Sequence, residues 1–128
     1  MSGQPRQEDV TETAVAGDHH YLVVLVTAPN TEEAEKIAEV LVQERLAACI
    51  TVLPNATSVY RWEGKLHKDQ EVLLIVKTRA ALFSALTARV QQLHSYQVPE
   101  IIALPVVAGA PSYLQWLAAE TGRDEDRS

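Results

Sequence analysis

Apolar residues fall into two rhythms along this chain. Residues 21–27 form an unbroken β-branched and apolar run, the mark of a strand buried on both faces. Ala28-Pro29-Asn30 breaks it. Asn30 is placed to cap a helix, with Glu33 three residues on as its capping-box partner. Ala34, Ile37, Ala38, Leu41 and Leu46 then recur at helical spacing. Glu32, Glu33, Glu35, Lys36 and Glu39 lie off that stripe, with acids crowding the first turns where the helix dipole favours them. The pattern predicts one amphipathic helix over about 31–46.

The rhythm returns to β at 48–53. Pro54-Asn55 bends or bulges the run, and a proline that cannot donate to a ladder marks an edge. Residues 57–63 continue as strand, Gly64 marks a hairpin turn, and 65–78 returns with an apolar heart at 72–76. A second helix follows over 80–94, with Leu82, Phe83, Leu86, Val90 and Leu93 on one side. Val98-Pro99 enforces extended backbone. A fourth strand spans 100–107, interrupted by Pro105. A short helix runs over 112–121, with Pro111 at its start and Gly122 as its stop. Residues 1–18 are polar and without periodicity, and predict a disordered arm. Residues 123–128 predict a frayed tail, which leaves one domain over 19–122.

The order is β-α-β-β-α-β plus a terminal helix. It predicts an α+β, ferredoxin-like antiparallel sheet with both long helices on one face. The first, third and fourth strands are nevertheless apolar on both faces. One short helix is too little to cover the second face. Left bare, that face would exceed the apolar patch of roughly 300–600 Å² usual on a monomer. The long hairpin also outruns the other strands and is suited to pairing across subunits. The expectation is a homo-oligomer.

Composition narrows the partners. The 128 residues are 47% hydrophobic and 22% charged, enough for a core without staples. The net charge of -6 argues against nucleic acid and against an anionic membrane surface, and sits more naturally with cations. The one cysteine, Cys49, forms no internal disulfide. The start of the chain has no signal-peptide apolar core, and no run reaches a membrane span, so a cytoplasmic home is expected. There is no GxSxG, HExxH, P-loop, GxGxxG or CxxC, which points away from an enzyme.

Five motifs in order carry a resemblance: 45–50 (Arg-Leu-Ala-Ala-Cys-Ile), 58–64 (Ser-Val-Tyr-Arg-Trp-Glu-Gly), 71–78 (Glu-Val-Leu-Leu-Ile-Val-Lys-Thr), 94–101 (His-Ser-Tyr-Gln-Val-Pro-Glu-Ile) and 113–116 (Tyr-Leu-Gln-Trp). The chain resembles the CutA divalent-cation tolerance proteins over about 21–117. The resemblance implies a tight homotrimer with strands paired between subunits, and binding of copper or another divalent metal. In architecture it is similar to the trimeric PII signalling proteins. One departure stands out: Ser95 occupies the place of the family's usual proline and frees a backbone N–H.

Cys49 has two readings: a soft thiolate ligand for copper or zinc, which the resemblance favours, or a small residue packed in a strand. His94 is either a borderline metal ligand or a helix C-terminal histidine favoured by the dipole. Glu100 completes the candidate metal set with Cys49 and His94. Tyr60, Trp62, Lys77 and Tyr96 match family positions as interface anchors or as the walls of a ligand cleft. Lys77 would there be either Glu100's partner or a contact for an anion. His19, His20 and His67 read as surface. The leading expectation is a metal-binding trimer serving cation tolerance. The alternatives are a PII-like regulatory trimer with a small anionic ligand between subunits, or a trimer that binds no ligand and serves assembly.

Overall fold

The computed structural model describes residues 19–122; the expected arm at 1–18 and tail at 123–128 lie outside the described residues. The elements are β1 (Tyr21–Ala28), α1 (Thr31–Gln43), β2 (Cys49–Trp62), β3 (Lys65–Arg79), α2 (Phe83–Leu93), β4 (Ile101–Pro105) and α3 (Pro111–Ala119). A single 3-10 turn, Ala80–Leu82, leads into α2. The four strands form one antiparallel sheet in the order β2-β3-β1-β4. This is the split arrangement expected of the element order, with the edge strand where Pro54 requires it.

Side chains alternate across a pleated strand, so each strand contributes to both faces. Leu22, Val24, Val26 and Ala28 from β1 and Val72, Leu74 and Val76 from β3 point to one side. They pack there with Ala34, Ile37 and Leu41 of α1 and Leu86 and Val90 of α2. This is the core.

The opposite face is also apolar. The register lines up Leu104, Val23, Lys77 and Cys49 in one row across β4, β1, β3 and β2, and Ile102, Leu25, Ile75 and Thr51 in the next. Among the described residues only α3 lies on this side. Arg79 Nε donates to Thr121 Oγ1 at 2.8 Å, and Arg45 Nε donates to Gly122 O at 2.7 Å, which pins the end of α3 to the sheet. Leu117 is buried, but Leu53, Ile102 and Leu104 stay 43%, 53% and 50% exposed. Among the described residues, one short helix leaves much of the face uncovered.

Several boundaries differ from the sequence reading, each for a local reason. α1 stops at Gln43, not near 46. Arg45 takes a left-handed φ of 62°, Arg45 N–H bonds to Val42 O and Leu46 N–H to Leu41 O at 2.9 Å. That is a Schellman stop with arginine where glycine is usual, so the sequence carries no flag for it. Leu46 still packs on the core. The expected interruption of β2 is a bulge between Leu53 and Ala56, with Asn55 at φ 67°, and the strand continues through it. Glu63 and Gly64, at φ 52° and 80°, make a two-residue type I′ hairpin turn. β4 ends at Pro105 rather than 107.

Leu74 is fully buried at the centre of the sheet. Leu74→Ala should lower unfolding stability by about 2–5 kcal/mol. The urea midpoint at fixed protein concentration measures this, and a loss under about 1 kcal/mol would contradict the packing described.

Candidate functional site

β3 runs past the end of β1, whose last paired residue is Ala28, opposite Val72. The segment 94–100 between α2 and β4 crosses the space beyond. His94 fixes it there. At the end of α2 its backbone turns extended, and its buried ring sits 2.6 Å from Thr27 O through Nε2. Tyr96 N–H donates to His94 Nδ1 at 3.0 Å. Nδ1 is therefore the acceptor, and Nε2 carries the proton donated to Thr27 O. Glu33 Oε2 lies 3.5 Å from Nδ1 and accepts the Ser95 N–H at 2.8 Å. The capping box is thus half realised. Asn30 Oδ1 accepts the Glu33 N–H at 2.8 Å, but the Glu33 side chain turns to the 94–96 segment instead of back to the cap. The N–H released by Ser95, where the family usually has proline, is the donor Glu33 uses.

Pinned in this way, Tyr96 reaches Glu71, its hydroxyl donating to Oε2 at 2.8 Å. The two residues face a cleft of about 550 Å³, whose walls are Tyr60, Trp62, Ser58 and Val59 from the hairpin, Thr27 from β1, and Gln97, Val98 and Glu100 from the crossing segment. Tyr60 is set by its hydroxyl, which donates to Asp69, and by stacking on His67 at 5.3 Å between ring centroids. His67, read as plain surface, thus props a cleft wall. Burial and the Glu71 hydrogen bond push the Tyr96 phenol well above its ordinary value. The bond to Asp69 raises that of Tyr60. Among the described residues the lining holds carboxylates at Glu71 and Glu100 and no lysine, arginine or histidine.

The sequence-derived candidates therefore separate into two places. Tyr60, Trp62, Tyr96 and Glu100 meet at the cleft, with Glu71, which no spacing in the sequence ties to Glu100. Lys77 is elsewhere. It stands opposite Cys49 and Val23, and its Nζ donates to Thr51 Oγ1 at 2.8 Å. Within the described chain Lys77 is neither Glu100's partner nor a cleft residue. Cys49 lies at the corner of the open face beside Tyr113 of α3, whose phenol is raised first by burial and then by the thiol. His94 bonds to Thr27, four positions along β1 from the Val23 of Cys49's row, about 13 Å at strand rise. Both ring nitrogens of His94 are already engaged. Among the described residues no three Cys, His, Asp or Glu side chains group to hold a metal ion, so the described donors do not by themselves fit a metal centre. The sequence singles out Glu33 only as a capping-box partner and Asp69 not at all, and tertiary contact gives each its role here.

The family described as CutA1 divalent ion tolerance protein matches residues 22–120. The divalent-cation tolerance protein CutA of Thermus thermophilus is 53% identical over 100 residues, which cover 78% of this chain and 97% of that protein. The chloroplastic protein CutA of Arabidopsis thaliana is 46% identical over 121 residues, covering 94% of this chain and 64% of its own length, so the chain spans under two thirds of that relative. The solved structure of the Thermus thermophilus divalent cation tolerance protein superposes with a TM-score of 0.79 at 52% identity, over 80% of this chain and 99% of that one.

The raised Tyr96 phenol has a consequence at alkaline pH. The fold holds this proton more tightly than the unfolded chain, where tyrosine titrates near 10.0. The stability gained is complete below that value and is lost as pH rises through the higher folded value. Denaturation midpoints should therefore fall above about pH 10, and the fall should be shallower in Tyr96→Phe. An identical slope in the variant would remove Tyr96 from the account.

Proposed function

The chain belongs to the CutA1 divalent ion tolerance protein family, and from that premise we propose that it serves metal-ion tolerance as a homotrimer that binds divalent metal, copper foremost. The observation that carries this reading is the second sheet face. It is mostly apolar, largely uncovered by the described residues, and bears the one thiol at its corner. Burying such a face between copies removes apolar area from water at about 25 cal/mol per Å². The long edge hairpin offers backbone groups for pairing with a neighbour.

Cys49, His94 and Glu100 remain the proposed ligands, with a complete donor set supplied by more than one copy. The Cys49 sulfur is the soft donor that suits copper in its reduced state. Glu100 is an exposed carboxylate on the cleft rim. His94 would have to give up Thr27 O or the Tyr96 N–H to bind an ion. Charge weighs against the regulatory alternative with an anion in the cleft, because the lining carries acids and Lys77 lies in another row. The role proposed is binding rather than catalysis. A cytoplasmic location is part of the proposal. No helix among the described residues is long and apolar enough to cross a membrane, while the Arabidopsis relative is chloroplastic.

The test is copper titration of tag-free protein with molar mass by light scattering, beside Cys49→Ser and His94→Ala. Stoichiometric binding by a trimer, weakened in Cys49→Ser, is expected. A monomer at micromolar concentration would refute the trimer, and binding unchanged in both variants would refute the ligand assignment.

A further inference from the structure

The cleft is poorly matched to a metal ion and well matched to something larger. Its volume of about 550 Å³ falls within the range of small-molecule sites, roughly 300–1,000 Å³. Divalent ions take several oxygen donors at about 2.0–2.6 Å, and no group of three donors forms among the described residues. The cleft offers aromatic rings instead. Trp62 and Tyr60 are 48% and 40% exposed along one wall, and Tyr96 lines the other. Ring faces attract weakly hydrated organic cations, with Trp the strongest of the three.

Glu71 supplies the second, independent sign. It is only 8% exposed, and the Tyr96 hydroxyl donates to its Oε2. A largely buried carboxylate gains from a cation brought beside it, and among the described residues no basic side chain lines the cleft to provide one. Glu100 adds negative charge at the mouth. The Tyr60 ring is held by Asp69 and His67, so the wall is set before a ligand binds, which lowers the entropy lost on binding.

We propose that this cleft binds a small organic cation, an ammonium on a hydrocarbon or aromatic body, with its charge toward Glu71 and Glu100 and its body against Trp62, Tyr60 and Tyr96. This inference shares Glu100 with the metal reading but rests on Glu71 and the aromatic walls and uses neither Cys49 nor His94, so either can fail without the other.

Calorimetric titration of the full chain in its native assembly tests it, with choline and benzyltrimethylammonium as probes. Neutral 3,3-dimethylbutan-1-ol, which has choline's shape without its charge, is the control. Saturable binding of both cations and none of the alcohol is expected. Glu71→Gln, which keeps an acceptor for Tyr96, should weaken binding by about tenfold or more. Trp62→Leu, a change at an exposed position, should weaken it by several-fold. Circular dichroism and light scattering show whether both variants keep the fold and assembly. The inference is overturned if neither cation binds, as it would be with the cleft filled by a neighbouring copy. Equal binding of cation and alcohol, or cation binding unchanged in both variants, overturns it as well.

Discussion

A pleated sheet sends alternate side chains to opposite sides, and this chain places apolar residues on both. Two helices close one side around Val24, Val26, Leu74 and Val76. Among the described residues the other side receives a single short helix, anchored by Arg45 and Arg79 through the turn at its end. Among the described residues the fold is therefore closed on one side of the sheet and open on the other. That imbalance shapes everything proposed about assembly. It also fixes where Cys49 can act, since its row of the register lies on the uncovered side with Val23, Lys77 and Leu104.

The two sides are joined chemically at the far end of β1. His94 closes the core side by bonding to Thr27, and the same ring orients the backbone that carries Tyr96 to Glu71. A histidine with both nitrogens committed and its ring buried is a structural keystone in the described subunit. It sets the cleft wall through Tyr96, whether or not it also meets a metal in an assembly. Glu33 reinforces the joint from α1 through the Ser95 N–H. Where a proline would stiffen this corner through its ring, here a hydrogen bond to a helix carboxylate does so.

Much of the fold was legible because its signals are local. Period-two and helical patterning gave the element order, Pro54 the edge strand, and Gly64 the hairpin. The doubly apolar β1 and β3 announced a face in need of cover. What was illegible depended on tertiary contact or on residues in unusual conformations. Arg45 ends α1 in a left-handed turn that sequence leads one to expect of glycine. The Glu33 side chain leaves its capping position for a partner 62 residues away. The candidate site was legible in part: Tyr60, Trp62, Tyr96 and Glu100 do converge. Glu71 belongs with them only because β3 outruns β1, a matter of strand register, and Lys77 departs from them for the same reason.

The separation of Cys49 from the cleft bears on how one small protein could handle cations of different kinds. A thiol at the sheet's corner suits a soft ion that sheds its water readily. Carboxylates framed by tyrosine and tryptophan suit a bulky cation that carries little water to begin with. A strongly hydrated divalent ion is poorly served by either place within one subunit, because neither offers a ring of oxygens at coordination distance. Selectivity would then rest less on net charge, which draws all cations alike, than on which of them loses its hydration cheaply enough to use the donors each end presents.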